Sequence, residues 1–204
     1  MALPEFAPAE VPFTDKKLSR TQVAARLGVH LAAVDKMIRA GMLQHPFLES
    51  AIRRIEGRKR LQVVEGELTV LRTDAREPAR EGEDRKFIGF HTEHTDEQLA
   101  ETSLRWWRSD PERVLDNELF AVTVGTYPVA LYLLTERAGT ITRDDEDVPR
   151  HHYKGRLLAR VRPGMIVSIQ KDIPGYLKQR AEQLMNSRIV VNSGGPVGYL
   201  GVDG

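Results

Sequence analysis

The chain of 204 residues contains no cysteine, which removes disulfides, cysteine-ligated zinc and thiol catalysis from the explanations open to it. No apolar run approaches the ~20 residues that a membrane-spanning helix needs, and the first residues do not follow the basic-then-apolar order of a signal peptide. A soluble, cytoplasmic protein is the expectation. Nor is there a strong excess of one charge, since 30 Lys and Arg stand against 29 Asp and Glu for a net charge of +1. Apolar residues make up 41% of the chain and include two tryptophans, enough for ordinary globular cores in one large or two small domains.

The near-neutral total hides an uneven distribution. Between Lys16 and Arg60 there are eleven basic residues and three acidic ones, a local net charge of +8. The rest of the chain is therefore acidic by 7, much of it between Asp74 and Glu101. A concentrated positive segment suits contact with phosphates, which supply most sequence-independent affinity for nucleic acid.

That segment also carries the most informative pattern of the sequence, LSRTQVAARLGVHLAAVDKMIRAGML over residues 18–43. Ser19 and Gln22 form an S-x-x-Q capping box, so a first helix should begin at Arg20. Val23, Ala24 and Leu27 share one face, and Gly28 stands where a left-handed residue ends a helix. A second helix follows, with Val29, Val34 and Ile38 on one stripe and Leu31, Ala32, Asp35, Lys36 and Arg39 pointing the other way. These features resemble the MerR and excisionase class of DNA-binding helix-turn-helix: a hydroxyl residue, Ala-Ala-x-x-Leu-Gly-Val, a cap, Val-x-x-x-Ile, then x-x-Gly-x-Leu. The resemblance covers about one eighth of the chain. His30 occupies the usual serine or threonine capping position, where histidine caps less well and is free to face a phosphate or base.

Beyond it, HPFLESAIRRIEGRKRL predicts a third helix over residues 47–56 with Pro46 in an early position, followed by a basic end. LQVVEGELTVLR reads as a hairpin about Glu65 and Gly66, either a wing or the start of a second domain. Residues 73–86 are polar and charged, as in a linker or exposed loop. The expected fold class is α+β. A flexible tail over 1–15 precedes an all-α helix-turn-helix domain over 16–60, winged or not. A hairpin and charged linker over 61–86 leads to a mixed domain over 87–204 with a curled, mainly antiparallel sheet.

In that second half, Thr95 and Gln98 form another capping box opening a helix over 95–108 that carries Leu99, Trp106 and Trp107, and a short helix is expected from Pro111. Residues 119–136 read as a hairpin of buried strands turning near Gly125. Further strands are expected over 153–162, 165–170 and 188–192, with a helix over 175–185. The arrangement resembles the small barrels of the PUA and ASCH group, as an analogy of fold alone. The whole chain resembles the immunity repressors of phages that infect actinobacteria, which implies a repressor whose second domain reads further base pairs.

The candidate DNA contacts follow. Lys36 and Arg39 suit base edges, with Asp35 accepting from cytosine, and His30, Leu31 and Ala32 stand at the start of the reading helix. Arg20, Thr21, Arg26, Arg53, Arg54, Arg58, Lys59 and Arg60 suit phosphates. In the second half Arg105, Arg108, His152, Lys154 and Arg156 are the candidates, the last three lying with Leu158 on one face of a regular strand. Double-stranded DNA is the expected partner, bound by a monomer, with no cofactor, metal or catalysis. Three other readings stay open: an excisionase-like bending factor, a second domain that senses a ligand or protein, and a nuclease component. His91-Thr92-Glu93-His94 lacks the HExxH spacing of a zinc site, and the acidic run 144–147 reads as a solvated loop tip.

Overall fold

The computed structural model describes residues 15–192 and 194–202. The tail expected over 1–15 lies outside these except for Asp15, whose carboxylate accepts the Ser50 N–H at 3.2 Å.

The amino-terminal elements are β1 (Lys17–Leu18), α1 (Arg20–Leu27), α2 (Leu31–Arg39), β2 (Phe47–Leu48) and α3 (Glu49–Glu56). The Ser19 capping box forms in full: the Gln22 N–H donates to Ser19 Oγ at 3.3 Å, and the Ser19 N–H donates to Gln22 Oε1 at 2.8 Å. Gly28 then turns the chain at φ +61°, a left-handed conformation that glycine adopts at no steric cost. The third helix, expected from Phe47, begins two residues later. Phe47–Leu48 pair antiparallel with Lys17–Leu18, and this two-stranded clasp delays α3 to Glu49. Val23, Leu27, Val34, Met37, Ile52 and Ile55 are each at most 1% exposed, so the three helices enclose an apolar centre. Burial of this kind contributes about 2 kcal/mol per side chain, which is what makes such short helices persist.

The remaining elements are β3 (Leu68–Thr73), β4 (Glu77–Pro78), β5 (Phe87–Ile88), α4 (Asp96–Leu104), α5 (Pro111–Asp116), β6 (Leu119–Val124), β7 (Tyr127–Ile141), β8 (Arg150–Arg162), β9 (Ile166–Ile169), α6 (Gly175–Met185) and β10 (Val197–Leu200). Six strands form a mixed sheet in the order β10-β3-β6-β7-β8-β9, in which only the β3–β6 pair is parallel. The long β7–β8 hairpin carries three register shifts. One of them leaves Leu158 unpaired between Leu157 and Ala159, so the regular alternation expected through Leu158 ends there and Leu158 is fully buried.

Several local expectations change. The hairpin expected about Glu65 and Gly66 does not form: residues 61–67 are irregular, and Leu68–Thr73 join the sheet between β6 and β10. Residues 73–86 are likewise partly ordered, since β4 pairs with β5. Trp106 and Trp107 lie past the end of α4, and Trp107 exchanges backbone hydrogen bonds with His151 at 3.0 and 2.9 Å. Residues 188–192 are not a strand. Arg188 makes an isolated bridge to Arg60, and the last strand of the sheet is Val197–Leu200.

The buried apolar residues of helices and sheet form one continuous cluster from Leu18 to Leu200. Polar links reinforce the junction. The Thr92 N–H donates to Ala40 O at 3.0 Å just past α2, and the Thr92 hydroxyl donates to Gly41 O at 3.2 Å. Arg160, 1% exposed on β8, donates to Thr92 O at 3.0 Å and to Asp96 Oδ1 at 2.6 Å. Arg188 donates to Leu27 O at 3.3 Å, at the end of α1, and to Thr126 Oγ1 at 3.1 Å, in the turn between β6 and β7. Both ends of the α1–α2 pair are thereby tied to the sheet. No helix among the described residues is long and apolar enough to cross a membrane.

Candidate nucleic-acid interface

α2 presents two unlike faces. Val34 and Met37 are buried inward, whereas Leu31, Ala32 and Arg39 are exposed and Asp35 and Lys36 are half-buried. Leu31 is 46% exposed at the first position of the helix, a costly place for a leucine in water. His30 caps the helix with no side-chain hydrogen bond, and the first turn holds no acidic residue. The Ala33 N–H bonds back to His30 O at 2.9 Å, and no carboxylate of the first turn serves the amides before it, a favourable environment for an anion.

Charges along this face are held by partners. Arg20 pairs with Asp35 at 2.6 Å across α1 and α2, Lys36 with Asp74 at 2.6 Å, and Arg39 with Glu77 at 3.5 Å. Thr21 is exposed beside Arg20. Arg26 and Arg53 converge on Glu49 at 2.6 and 2.9 Å, and Arg26 also meets Glu56 at 3.5 Å. The Arg26 and Arg53 guanidinium groups hold the Glu49 carboxyl below its ordinary range. Arg26 therefore braces α1 against α3, while Arg53 pairs within α3 and stays exposed. Arg54 and Lys59 are exposed with no carboxylate partner among the described residues, and Arg60 is exposed beside them.

Arg58 departs from the phosphate-gripping role expected of it. Its Nε and Nη1 atoms are buried without a hydrogen-bond partner, and desolvation pulls its pKa down, with Tyr127 opposing that pull. Its placement against the β6–β7 turn makes it part of the junction between helices and sheet.

The second-half candidates are compensated too. Arg105 meets Asp84 at 3.0 Å, Arg108 meets Glu146 at 3.1 Å, and Lys154 meets Glu136 at 2.8 Å, while Arg156 donates to Asp172 O. His152 lies edge-on to Trp106 at 5.4 Å, and burial, followed by the nearby Arg105 charge, lowers its pKa. Arg150 and then Arg108 hold the Glu146 carboxyl down at about 2. Lys154 and Arg156 remain exposed on the outer side of β8, and Arg108 is exposed near its start.

No family model, curated protein or solved structure matches this chain. Among the described residues no group of three or more His, Asp or Glu side chains is placed to hold a metal ion.

Sequence reasoning missed Asp74, Glu77 and Thr92. The two carboxylates lie in a stretch that reads as linker, and nothing local marks them as neighbours of a helix nearly forty positions earlier. Thr92 sits between two histidines that draw attention to metal chemistry, while its own work is to tie α2 to the sheet.

Proposed function

We propose that the protein is a sequence-specific, double-stranded DNA-binding repressor, with α2 as the helix that enters the major groove. The observation that carries this reading is the outward face of α2. An exposed leucine and alanine at its first turn precede Lys36 and Arg39 one and two turns on, behind a buried seam of Val34 and Met37. Apolar side chains at the start of a reading helix suit the 5-methyl group of thymine, and Lys or Arg suits guanine O6 and N7. Arg20, Thr21, Arg54, Lys59 and Arg60 supply the surrounding phosphate contacts.

The helix-turn-helix resembles that of MerR and excisionase proteins, and the whole chain that of phage immunity repressors. Repression follows by occlusion of a promoter. Lys154 and Arg156 on β8, with Arg108 in the loop near its start, form a second contact face, so that one chain reads an asymmetric site as a monomer. This arrangement is supported by the ties from Thr92, Arg160 and Arg188, which fix the angle between the helices and the sheet.

Substitution separates the roles. Lys36→Ala and Arg39→Ala should relax sequence preference at the bases they read, each by about 1–3 kcal/mol of discrimination. Arg54→Ala and Lys59→Ala should weaken all sequences alike and reduce the slope of log affinity against log salt by about 1 each. Binding assays on specific and arbitrary duplexes across a salt series decide it, and identical behaviour of the two classes rejects the assignment.

A further inference from the structure

Asp74 and Glu77 stand three residues apart in the chain and meet Lys36 and Arg39, three residues apart on α2. The match of spacing lays the acidic pair alongside one turn of the helix. The acidic segment is not free to wander. The Phe90 N–H donates to Asp74 O at 2.8 Å, and the Arg76 N–H donates to Phe90 O at 2.9 Å. Ala75, between them, is 2% exposed. Close approach here depends on Gly89: at φ +79°, a Cβ on it would lie 2.4 Å from Ala75 O. Three residues further on, Thr92 grips Ala40 and Gly41 at the end of α2. One strap, residues 89–92, thus holds both the helix and the carboxylates that face it.

These contacts occupy only part of each cation. Arg39 meets Glu77 through Nη1 at 3.5 Å with its side chain 57% exposed, while the Lys36 ammonium lies 2.6 Å from one Asp74 oxygen and its side chain is 31% exposed. A guanidinium has five donors, so one carboxylate contact leaves an edge for a base.

We propose that Asp74 and Glu77 are positioning residues for DNA reading, holding Lys36 and Arg39 in the conformations in which they meet guanine. This rests on the assignment of α2 as the reading helix. The long side chains of lysine and arginine lose much rotamer freedom when they bind, and a fixed carboxylate removes part of that loss beforehand. The same carboxylates repel phosphates, so an α2 placed on the wrong bases gains nothing from them.

The test uses the full-length chain, a duplex selected by the wild type from a random library, and an arbitrary duplex of equal length. Asp74→Asn with Glu77→Gln should lower the ratio of selected to arbitrary affinity about fivefold, because both complexes gain alike from the removed charge while the selected one alone loses the positioned cations. Glu77→Asp keeps the charge but shortens the arm, and should also lower the ratio. In an Arg39→Ala background, Glu77→Gln should leave the ratio unchanged. Glu112→Gln with Asp116→Asn, on α5, removes the same charge and should leave the ratio unchanged. Thermal melting confirms that each variant is folded. A selected complex that tightens as much as the arbitrary one in the double variant overturns the proposal, showing that the carboxylates compete with DNA. A wild type that selects no duplex overturns the DNA-reading assignment together with it.

Discussion

Replacing His94 by leucine should flatten the dependence of stability on pH between roughly pH 7 and pH 5. His94 is 1% exposed, and neither ring nitrogen has a hydrogen-bond partner. The ring stacks on Phe87 with centroids 6.0 Å apart. Burial, and then the charges of Arg76, His91 and Arg160, lower its pKa from 6.5 to about 4. In the unfolded chain the same imidazole takes up a proton near its ordinary value. Below pH 6.5 the unfolded state therefore binds a proton that the folded state refuses, and stability falls with pH until about 4, where both states are protonated. Linkage between those two values gives a loss of about 2 kcal/mol on going from pH 7 to pH 5, and about 3 kcal/mol over the full window. The carboxylates held below their ordinary range, Glu49, Glu67 and Glu146, lose their contributions at lower pH, so they leave this window largely clear. Urea unfolding midpoints at pH 7, 6 and 5 measure the effect. His91, His151 and His152, whose pKa values are also lowered by burial, leave a residual slope in the variant. Equal slopes for the wild type and His94→Leu would refute the reasoning, because they would mean that the buried ring gains its proton as readily as an unfolded one.

Three further substitutions probe the frame. Ser19→Ala removes the oxygen that accepts from Gln22 and should cost about 1 kcal/mol of unfolding free energy. Gly89→Ala forces a Cβ into Ala75 O from a left-handed backbone and should cost more than about 2 kcal/mol, seen as a clear drop in melting temperature. Arg160→Ala empties a buried site and strips Thr92 O and Asp96 Oδ1 of the Arg160 donor, leaving Asp96 only the Gln170 amide and the more distant Arg162. It should destabilise by about 3 kcal/mol or more, and weaken DNA binding through α2 even where the protein remains folded.

The caps of α1 and α4 are readable from sequence because a capping box is a local exchange between a hydroxyl residue and the residue three positions on; Ser19 with Gln22 and Thr95 with Gln98 form as written. The helix over Gly175–Met185 and the β6–β7 hairpin follow local periodicity and turn chemistry in the same way. The strand Leu68–Thr73 is less legible. Its neighbours are β6, some fifty residues later and parallel, and β10, almost at the end of the chain, so no adjacent sequence announces the pairing. The exposed face of α2 is visible in its spacing, whereas its electrostatic setting is not: Asp74 and Glu77 arrive there through Gly89 and Phe90. Arg58 shows the opposite case. Its sequence neighbours Lys59 and Arg60 suggest a basic cluster in solvent, yet its Nε and Nη1 atoms are buried.

The most direct measurement is selection of duplexes from a random library by the full-length protein at about physiological ionic strength, where weak surface attraction is screened. The account predicts enrichment of one asymmetric motif that contains a guanine, with the preference at that base lost on Arg39→Ala. Recovery of no motif, or of one whose preferences survive both Lys36→Ala and Arg39→Ala, would contradict it.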